Sequence, residues 1–237
     1  MNETLTGLSA ALIYGANYRC GTEELATRRI SFVANEEHSA FVHTVLSPQT
    51  SMAIVLIHDI PPGKDNEPEA KLVAELGLAL REALQDGDAP FEHDADFFER
   101  GLFVVSPHHS QIQRIRRHFH ELRQWEVEPF VDTVDKMQGQ EAMAVLVSYG
   151  VSDPEFAMME AEFIYSQNRL NVSVTRGRYK TVLLLPAALL HAPPRVLERE
   201  EAAAGLGYMR QLVAWVRARG EEAIFLRDDC QIEVITV

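Results

Sequence analysis

The sequence predicts an α/β fold in which a mostly parallel sheet is covered by helices on both faces. Four short runs rich in Val, Ile and Leu have the continuous apolar character of strands buried on both sides, and they cover 52–58, 102–106, 142–149 and 181–185. Crossovers of a dozen or more residues join them, which is typical of parallel strands. In sheets of this kind, ligands bind at the carboxyl ends of the strands.

Two of the connecting segments carry an apolar stripe with the spacing of a helix. The first stripe contains Leu72, Val73, Leu76, Leu80 and Leu84, and the second contains Ile112, Ile115, Phe119 and Leu122. Pro and Gly mark loops at 60–66 and 86–90, and both loops fit within a single domain. Strand and helix therefore alternate along the chain.

The Pro193-Pro194 pair divides the chain into two parts. We expect an α/β domain over 1–192 and an extension with a helix and a strand over 193–237. The helix of the extension has an apolar stripe formed by Leu206, Met209, Leu212, Val213 and Val216. It is expected to end near Gly220 and to lead into a strand at 223–226.

The composition limits the classes of function. The 237 residues include 22 Lys and Arg against 35 Asp and Glu, a formal net charge of −13, so any nucleic-acid contact must be local rather than a bulk attraction. Cys20 and Cys230 form neither a disulfide framework nor a metal-ligand spacing. The first residues lack a basic stretch before their apolar part, and no apolar run approaches ~20 residues, so we expect a cytoplasmic protein without a membrane span.

The segment 131–141, VDTVDKMQGQE, is a polar loop directly before the third predicted strand. It brings hydroxyl, ammonium, amide, free backbone and carboxylate groups to one place, from Thr133, Asp135, Lys136, Gln138, Gly139 and Glu141. These groups suit a phosphate site. A solvated turn followed by a capped helix start explains the same composition equally well.

The segment 168–178, NRLNVSVTRGR, brings Arg169, Arg176 and Arg178 to the start of the fourth predicted strand. A guanidinium fork binds phosphate oxygens in bidentate fashion without a tuned pKa, so one of these residues can act as an arginine finger. The alternative is that they are ordinary surface arginines paired with some of the many carboxylates.

The segment 104–117, VVSPHHSQIQRIRR, predicts a strand that ends at Ser106-Pro107 and a helix with Pro107 in its first turn. Free backbone amides there can hold a phosphate together with the side chains of Ser106, His108, Ser110 and Gln111. The most basic local patch of the chain follows, at Arg114, Arg116 and Arg117. A capped amphipathic helix with an exposed basic face is the alternative. No metal site is predicted, because His108 and His109 have no third ligand in an evident spacing.

In this order, the three segments resemble motifs IV, V and VI of superfamily 1 helicases, in particular the 1B branch with the up-frameshift-type RNA helicases. VDTVDKMQGQE is similar to the motif V pattern T-V-D-x-x-Q-G-x-E. NRLNVSVTRGR is similar to the motif VI pattern N-R-x-N-V-A-x-T-R-A-[RK], with Ser173 and Gly177 in place of the two Ala.

Two further elements extend the resemblance over 18–185. Tyr18-Arg19 is similar to the Y-R-M-H element that opens the second RecA-like domain in this branch, with Cys20-Gly21 in place of Met-His. Asn66 and Glu69-Ala70 match the N-x-x-E-A element at the start of a helix. The resemblance implies a RecA-like P-loop NTPase fold, and it identifies the chain as a C-terminal, second motor domain.

The resemblance also implies a nucleotide site for ATP, formed by Tyr18, Arg19, Gly139, Glu141 and Arg176. Tyr18 and Arg19 would contact the base and the γ-phosphate, while Gly139 and Glu141 would face the γ-phosphate and the ribose. Arg176 would stabilise the charge that develops in phosphoryl transfer, a role that can be worth ~10³ to 10⁵ in rate. Gln138 would link this site to the nucleic acid, and the implied catalytic set is Arg19, Gln138, Glu141 and Arg176.

The nucleic acid implied by the resemblance is single-stranded DNA or RNA. Its phosphates would lie along Thr133 and along the motif IV residues Ser106, His108 and Gln111. The family usually has an aromatic residue where this chain has His108, so stacking on a base or sugar is not expected from that position.

The sequence lacks the first RecA-like domain of such a motor. It contains no G-x-x-x-x-G-K-[ST] motif, and no predicted strand ends in a D-E-x-x motif, so the ligands of Mg²⁺ are expected on the missing domain. We therefore expect this chain to be inactive alone and to work with a first domain from the same full-length protein or from a separate chain. The alternative is a non-catalytic relic module that binds single-stranded nucleic acid or a partner protein.

Overall fold

The structure, a computed structural model, describes residues 1–33, 35–87, 89–137 and 139–237. The helices are α1 (Glu3–Ser9), α2 (Glu23–Thr27), α3 (Ala40–Val45), α4 (Glu67–Ala83), α5 (Asp94–Asp96), α6 (His109–Leu122), α7 (Pro154–Met159), α8 (Ala161–Ile164), α9 (Gln167–Val174), α10 (Pro194–Leu197) and α11 (Glu200–Arg217). The strands are β1 (Met52–Ile57), β2 (Gln85–Asp86), β3 (Ala89–Pro90), β4 (Leu102–Val105), β5 (Val131–Asp132), β6 (Ala142–Ser148), β7 (Gly177–Pro186), β8 (Glu221–Arg227) and β9 (Cys230–Thr236).

Within these residues, seven strands form the main sheet in the order β5-β4-β6-β7-β1-β9-β8. The pairs from β5 to β1 are parallel, whereas β9 is antiparallel to both β1 and β8. The four strongest predicted strands are all present in this sheet. The predicted α/β class with a mostly parallel sheet is therefore confirmed.

Helices cover the sheet on both faces, as predicted. Alternate residues of β1 point to opposite sides: Val55 packs in a core with α3, α4 and α6, whereas Ile54 packs in a second core with α1, α9 and α11. Two cores of this kind require strands that are apolar at every position, because both sides of the sheet are buried. This requirement explains the continuous apolar runs in the sequence.

The C-terminal part adds a hairpin where the sequence predicted one strand. The sequence does not predict the second strand, β9, because its polar and apolar residues alternate, whereas the strands buried on both faces have continuous apolar runs. Its turn consists of Asp228 and Asp229, whose φ angles of 49° and 61° match a type I′ turn that Asp tolerates. The hairpin extends the main sheet beyond β1, and α11 packs on one face of that sheet.

Pro107 lies before the N-cap residue His108 rather than in the first turn of α6, because the backbone is still extended at His108, with φ of −115° and ψ of 131°. In the described residues, no helix is long and apolar enough to cross a membrane.

Candidate nucleotide and nucleic-acid sites

The predicted nucleotide residues Glu141 and Arg176 lie side by side at the amino ends of two neighbouring strands. Glu141 directly precedes β6 and Arg176 directly precedes β7. The backbone N–H of Ala142 donates to the carbonyl oxygen of Arg176 at 3.1 Å, so the ladder between the two strands fixes both residues. Motifs V and VI therefore meet where the parallel strands begin, which we call the amino edge of the sheet. The rule for parallel sheets predicted a site at the carboxyl edge, where these strands end.

The guanidinium of Arg176 is held by backbone carbonyls at this edge. Its Nε donates to Val172 O at 3.1 Å, one turn back in α9, and one terminal nitrogen donates to Gln140 O at 3.2 Å. The side chain is half-buried, and it forms no ion pair within the described residues. Two donors thus position the group, while its charge has no carboxylate partner there.

Arg169 differs from Arg176 in this respect. One of its terminal nitrogens lies 3.6 Å from an Asp135 carboxylate oxygen, and its guanidinium lies over the ring of Phe163 at 4.2 Å from the centroid. The interpretation of a surface arginine paired with a carboxylate therefore holds for Arg169. For Arg176 it does not hold within the described part of the chain.

Tyr18 and Arg19 are exposed and line an open cleft of about 300 Å³ next to α1 and α2. Partial burial raises the pKa of the Tyr18 phenol, and neighbouring Tyr14 and Glu141 raise it further, whereas Arg176 opposes them. The charges of Glu141 and Arg176 both act on Tyr18, so the three residues belong to one neighbourhood. A cleft of this size is in the range of small-molecule sites.

A polar chain that the sequence did not reveal connects α9 to Tyr18. The Asn171 side-chain N–H donates to the Tyr14 hydroxyl at 3.1 Å, and the Tyr208 hydroxyl donates to the Asn171 amide oxygen at 3.4 Å. The Tyr14 ring lies 4.7 Å from the Tyr18 ring, centroid to centroid. Asn171 belongs to the motif VI pattern, but nothing in the sequence indicated Tyr14 as its partner.

The loop between β5 and β6 runs from one edge of the sheet to the other. Thr133 follows the carboxyl end of β5, a 3₁₀ turn covers Val134–Met137, and Glu141 stands at the amino end of β6. Val134 and Met137 are buried in the core on that face, which anchors the loop. Gly139 has φ of +81°, a left-handed conformation that favours glycine. Gln138, the predicted link between the two sites, lies outside the described residues.

The four predicted nucleic-acid residues lie near the carboxyl edge, but they differ in exposure. Thr133 and His108 are half-buried. Ser106 and Gln111 are 0% exposed, so neither offers an atom to a strand in this conformation. The contact of Ser106 and Gln111 with a strand stays a prediction that requires them to become exposed.

Gln111 is occupied by contacts inside the protein. Its amide oxygen accepts from the Asn66 backbone N–H at 2.8 Å, and its amide nitrogen donates to Asn66 O at 3.3 Å and to the Ser148 hydroxyl at 3.1 Å. All of these bonds join the start of α4 and the end of β6 to α6. The side chain therefore positions three elements at the carboxyl edge.

His108 stands between two aromatic rings that the motif pattern did not predict. The centroids of Phe156 and Phe163 each lie 5.4 Å from the His108 ring. Burial lowers the pKa of His108, so the imidazole is neutral at pH 7. Phe163, with Arg169 over its ring, lines a small pocket together with Thr133, so an aromatic side chain is present near this edge in spite of the histidine.

The basic patch predicted on α6 is neutralised by carboxylates. Arg114 pairs with Glu67, and it also pairs with Asp65 at 2.6 Å. Arg116 lies 3.6 Å from Glu128, and Arg117 lies 3.6 Å from Glu67. The alternative of a helix with an exposed charged face thus describes this patch better than a phosphate site does. In the part of the chain that the structure describes, no group of three or more His, Cys, Asp or Glu residues could hold a metal ion.

Glu69 is a fully buried carboxyl group beneath this edge. One of its oxygens accepts from the Ser148 hydroxyl at 2.6 Å and from the Gly150 backbone N–H at 2.9 Å. The other oxygen has no hydrogen-bond partner in the described residues. Burial raises the pKa of Glu69 to about 8, against the lowering effect of these hydrogen bonds. At neutral pH the group is mostly the uncharged acid.

We expect Glu69 to make the folded protein less stable as the pH rises. Between pH 5 and pH 7 the folded chain keeps a proton on Glu69 that the unfolded chain releases above its ordinary pKa of 4.5. The linked slope is at most about 1.4 kcal/mol per pH unit. Urea unfolding at pH 5, 6 and 7 should therefore show that wild type loses about 2–3 kcal/mol of unfolding free energy relative to Glu69→Gln over this range. Equal slopes in the two proteins would contradict the buried acid.

One protein family and several known proteins are similar to this chain. A family model described as an AAA domain matches residues 1–186. The DNA replication ATP-dependent helicase/nuclease DNA2 of Xenopus laevis is 24% identical over 203 residues, which cover 78% of this chain and 18% of that protein. The corresponding helicase/nuclease JHS1 of Arabidopsis thaliana is 24% identical over 184 residues, 75% of this chain and 12% of that protein.

A shorter match reaches higher identity. The DNA polymerase alpha-associated DNA helicase A of Saccharomyces cerevisiae is 32% identical over 87 residues, 36% of this chain and 12% of that protein. The chain thus spans less than one fifth of the length of each of these relatives. These matches confirm the predicted resemblance to helicases.

Proposed function

Because the chain belongs to the AAA domain family and its relatives are helicases, we propose that it is the C-terminal motor domain of a superfamily 1B helicase. In this proposal it moves 5′ to 3′ along single-stranded DNA or RNA when paired with a first RecA-like domain. It supplies the arginine finger and part of the nucleic-acid surface. The Walker A and Walker B residues, and with them the ligands of Mg²⁺, belong to the other domain.

The observation that carries the proposal is the meeting of Glu141 and Arg176 at the amino edge, in the neighbourhood of Tyr18. A cation with no carboxylate partner within the described residues acts on Tyr18, which lines a small-molecule-sized cleft. A guanidinium stays protonated at any physiological pH, so Arg176 needs no tuning to stabilise developing phosphate charge. Its bonds to Val172 O and Gln140 O hold it in place before a nucleotide arrives.

The other residues of the amino edge bind the nucleotide in this proposal. The neutral phenol ring of Tyr18 packs on the base, and Arg19 binds the γ-phosphate from the same cleft. Gly139 lets the backbone turn close to the phosphates and the ribose, since a side chain at its φ of +81° would be strained. Glu141 faces the same groups.

The nucleic-acid strand lies on the other edge in this proposal. Thr133 contacts a strand phosphate, with His108 beside it, while Ser106 and Gln111 support the carboxyl edge from within. The loop from Thr133 to Glu141 joins the two edges and is anchored by Val134 and Met137. Domain closure over ATP therefore moves the loop as one body and shifts the strand that it contacts.

The second candidate is the relic module that binds nucleic acid or a protein without turnover. Two observations favour it: the net charge of −13 and the lack of a G-x-x-x-x-G-K-[ST] motif in these 237 residues. Against it stands the position of Arg176, whose half-buried charge has no carboxylate partner in the described residues. An unused charge of this kind costs stability.

Strand-stimulated ATP hydrolysis separates the two candidates. The motor proposal expects no hydrolysis by this chain alone and hydrolysis when the polypeptide with the first RecA-like domain is added. The relic proposal expects none in either sample, although single strands still bind. Hydrolysis by the isolated chain would contradict both.

A further inference from the structure

Strand β8 forms an edge of the main sheet that is open along its whole length. In the described part of the chain it pairs only with β9. Its apolar side chains Ile224 and Leu226 are 66% and 79% exposed. Since the free N–H and C=O groups of an edge strand are a template for another strand, β8 presents both hydrogen-bonding groups and apolar surface.

Several features that protect an edge are missing from β8, and its three charged residues lie at its two ends. The sequence EEAIFLR contains no Pro, Gly or Lys, and the pairing with β9 runs without a bulge from Glu221↔Thr236 to Arg227↔Cys230. The opposite edge of the sheet, β5, has only two residues. The strand is also firmly placed, because Phe225 packs edge-on against Phe41 with ring centroids 5.8 Å apart.

We propose that β8 pairs with β8 of a second copy of this chain, antiparallel and centred on Ile224. In this register Ile224 lies opposite its own copy, Ala223 opposite Phe225 and Glu222 opposite Leu226. Glu221 then lies opposite Arg227 at both ends of the pair. Opposite charges at cross-strand positions stabilise a sheet, and like charges directly opposite destabilise it.

The charge pattern selects this register over its neighbours. Centring the pair on Glu222 would place two carboxylates directly opposite each other. Centring it on Ala223 would leave Leu226 and Arg227 without a partner in the other β8, and centring it on Phe225 would leave Glu221 and Glu222 without one. A parallel pair in register would place Glu221 and Glu222 opposite their own copies. Only the pair centred on Ile224 matches each Glu221 with an Arg227.

The exposed apolar side chains also fit this pairing. Ile224 and Leu226 point to the same face of the strand, since side chains alternate along it. The two-fold axis through Ile224 joins them to the same residues of the second copy, which gives one continuous apolar strip and a sheet that continues across both chains. Three strands separate β8 from the β6/β7 junction, so the amino edge with Arg176 is not part of the contact.

The test is a charge exchange across the pair, measured by sedimentation equilibrium of the full 237-residue chain. Wild type should associate with concentration to twice its mass of 26.7 kDa. Glu221→Arg or Arg227→Glu should each raise the dissociation constant by about ten-fold or more, because each variant places like charges opposite each other at both ends. The double variant should return it to within about three-fold of wild type, since the pairs are restored in reverse. Glu99→Arg makes the same charge change as Glu221→Arg and should have no effect, because Glu99 is exposed and lies just before β4, near the opposite end of the sheet.

Two controls separate loss of the contact between the chains from loss of folding. Arg227→Glu also removes a contact of 3.4 Å to Glu75, so thermal unfolding of each variant checks that the hairpin is intact. Ile224→Lys places two like charges at the two-fold axis and should give a monomer without touching either end pair. A wild-type chain that stays monomeric at about 0.5 mM, or single variants that associate like wild type, would overturn the proposal. Loss of association that the double variant fails to restore would overturn the register.

Discussion

An Arg176→Ala variant of the complete motor is expected to bind ATP almost as wild type does and to hydrolyse it at least ~100-fold more slowly. The lost interaction forms only as charge develops on the transferred phosphoryl group, so the effect falls on kcat rather than on KM. Loss of ~3 kcal/mol of transition-state stabilisation is typical when a positioned donor is removed. The measurement is single-turnover hydrolysis with single-stranded nucleic acid present, in a motor assembled from this chain and its first domain.

Arg178→Ala is the matched control for this experiment. Arg178 is also half-buried, lies two residues away and has no carboxylate partner in the described residues, but its guanidinium lies over the ring of Tyr179. Its loss should leave the rate within a few-fold of wild type. Arg176→Ala also removes the bonds to Val172 O and Gln140 O. Thermal unfolding of both variants shows whether this loss changes the stability of the fold. A rate of Arg176→Ala that equals that of Arg178→Ala would refute the finger role.

Gly205→Ala is expected to lower the free energy of unfolding by about 3 kcal/mol or more. A Cβ at this position in α11 would lie 1.3 Å from the carbonyl oxygen of Tyr165 and 3.2 Å from the backbone nitrogen of Gln167. Backbone atoms cannot rotate away as a side chain can, so α11 would have to move off the α8–α9 junction. Overpacking of this kind exceeds the usual 1–3 kcal/mol for an extra methyl group in a core.

The same helix offers the control. A Cβ at Gly207 meets no heavy atom within 4 Å, so Gly207→Ala should stabilise the chain by up to ~1 kcal/mol through helix propensity alone. We therefore expect urea unfolding to show changes of opposite sign in the free energy of unfolding, although the two variants carry the same substitution two residues apart. Equal stability of the two variants would contradict the close packing of α11 against the junction between α8 and α9. Because α9 follows that junction, movement of α11 would also disturb the Asn171 bonds to Tyr14 and Tyr208.

The strands of the fold were predictable because burial on both faces demands continuous apolar runs. Residues 142–149 could thus be assigned from the sequence, and β6 covers Ala142–Ser148. The hairpin was only half predictable, because a strand such as β9 that alternates polar and apolar residues carries a weaker signal. The turn at Asp228-Asp229 lacks the glycine that marks most type I′ turns.

The site was predictable in its residue types but not in its arrangement. The motif order placed Thr133 and Glu141 in one loop, yet it did not reveal that the loop runs between opposite edges of the sheet. The rule that ligands bind at carboxyl ends applies to a sheet that holds its own ligand. In the proposed motor the other domain holds the triphosphate, which explains how Arg176 can serve from an amino edge.

Burial of polar groups was the least predictable feature. Gln111 and Glu69 are polar residues whose sequence neighbours gave no sign that both would be 0% exposed. Their burial depends on Ser148 and Gly150, which follow 37 or more residues later in the chain. Contacts between residues so far apart in sequence leave no periodic signal, so only the structure reveals them.

The most direct test of the motor proposal is a titration of this chain into a fixed amount of the polypeptide with the first RecA-like domain. Steady-state ATP hydrolysis is followed with single-stranded nucleic acid in excess. If this chain supplies half of each site, the rate should rise with added chain and level off near one chain per first domain, while the chain alone stays at the background rate. A rate that is independent of this chain at every ratio would contradict the proposal.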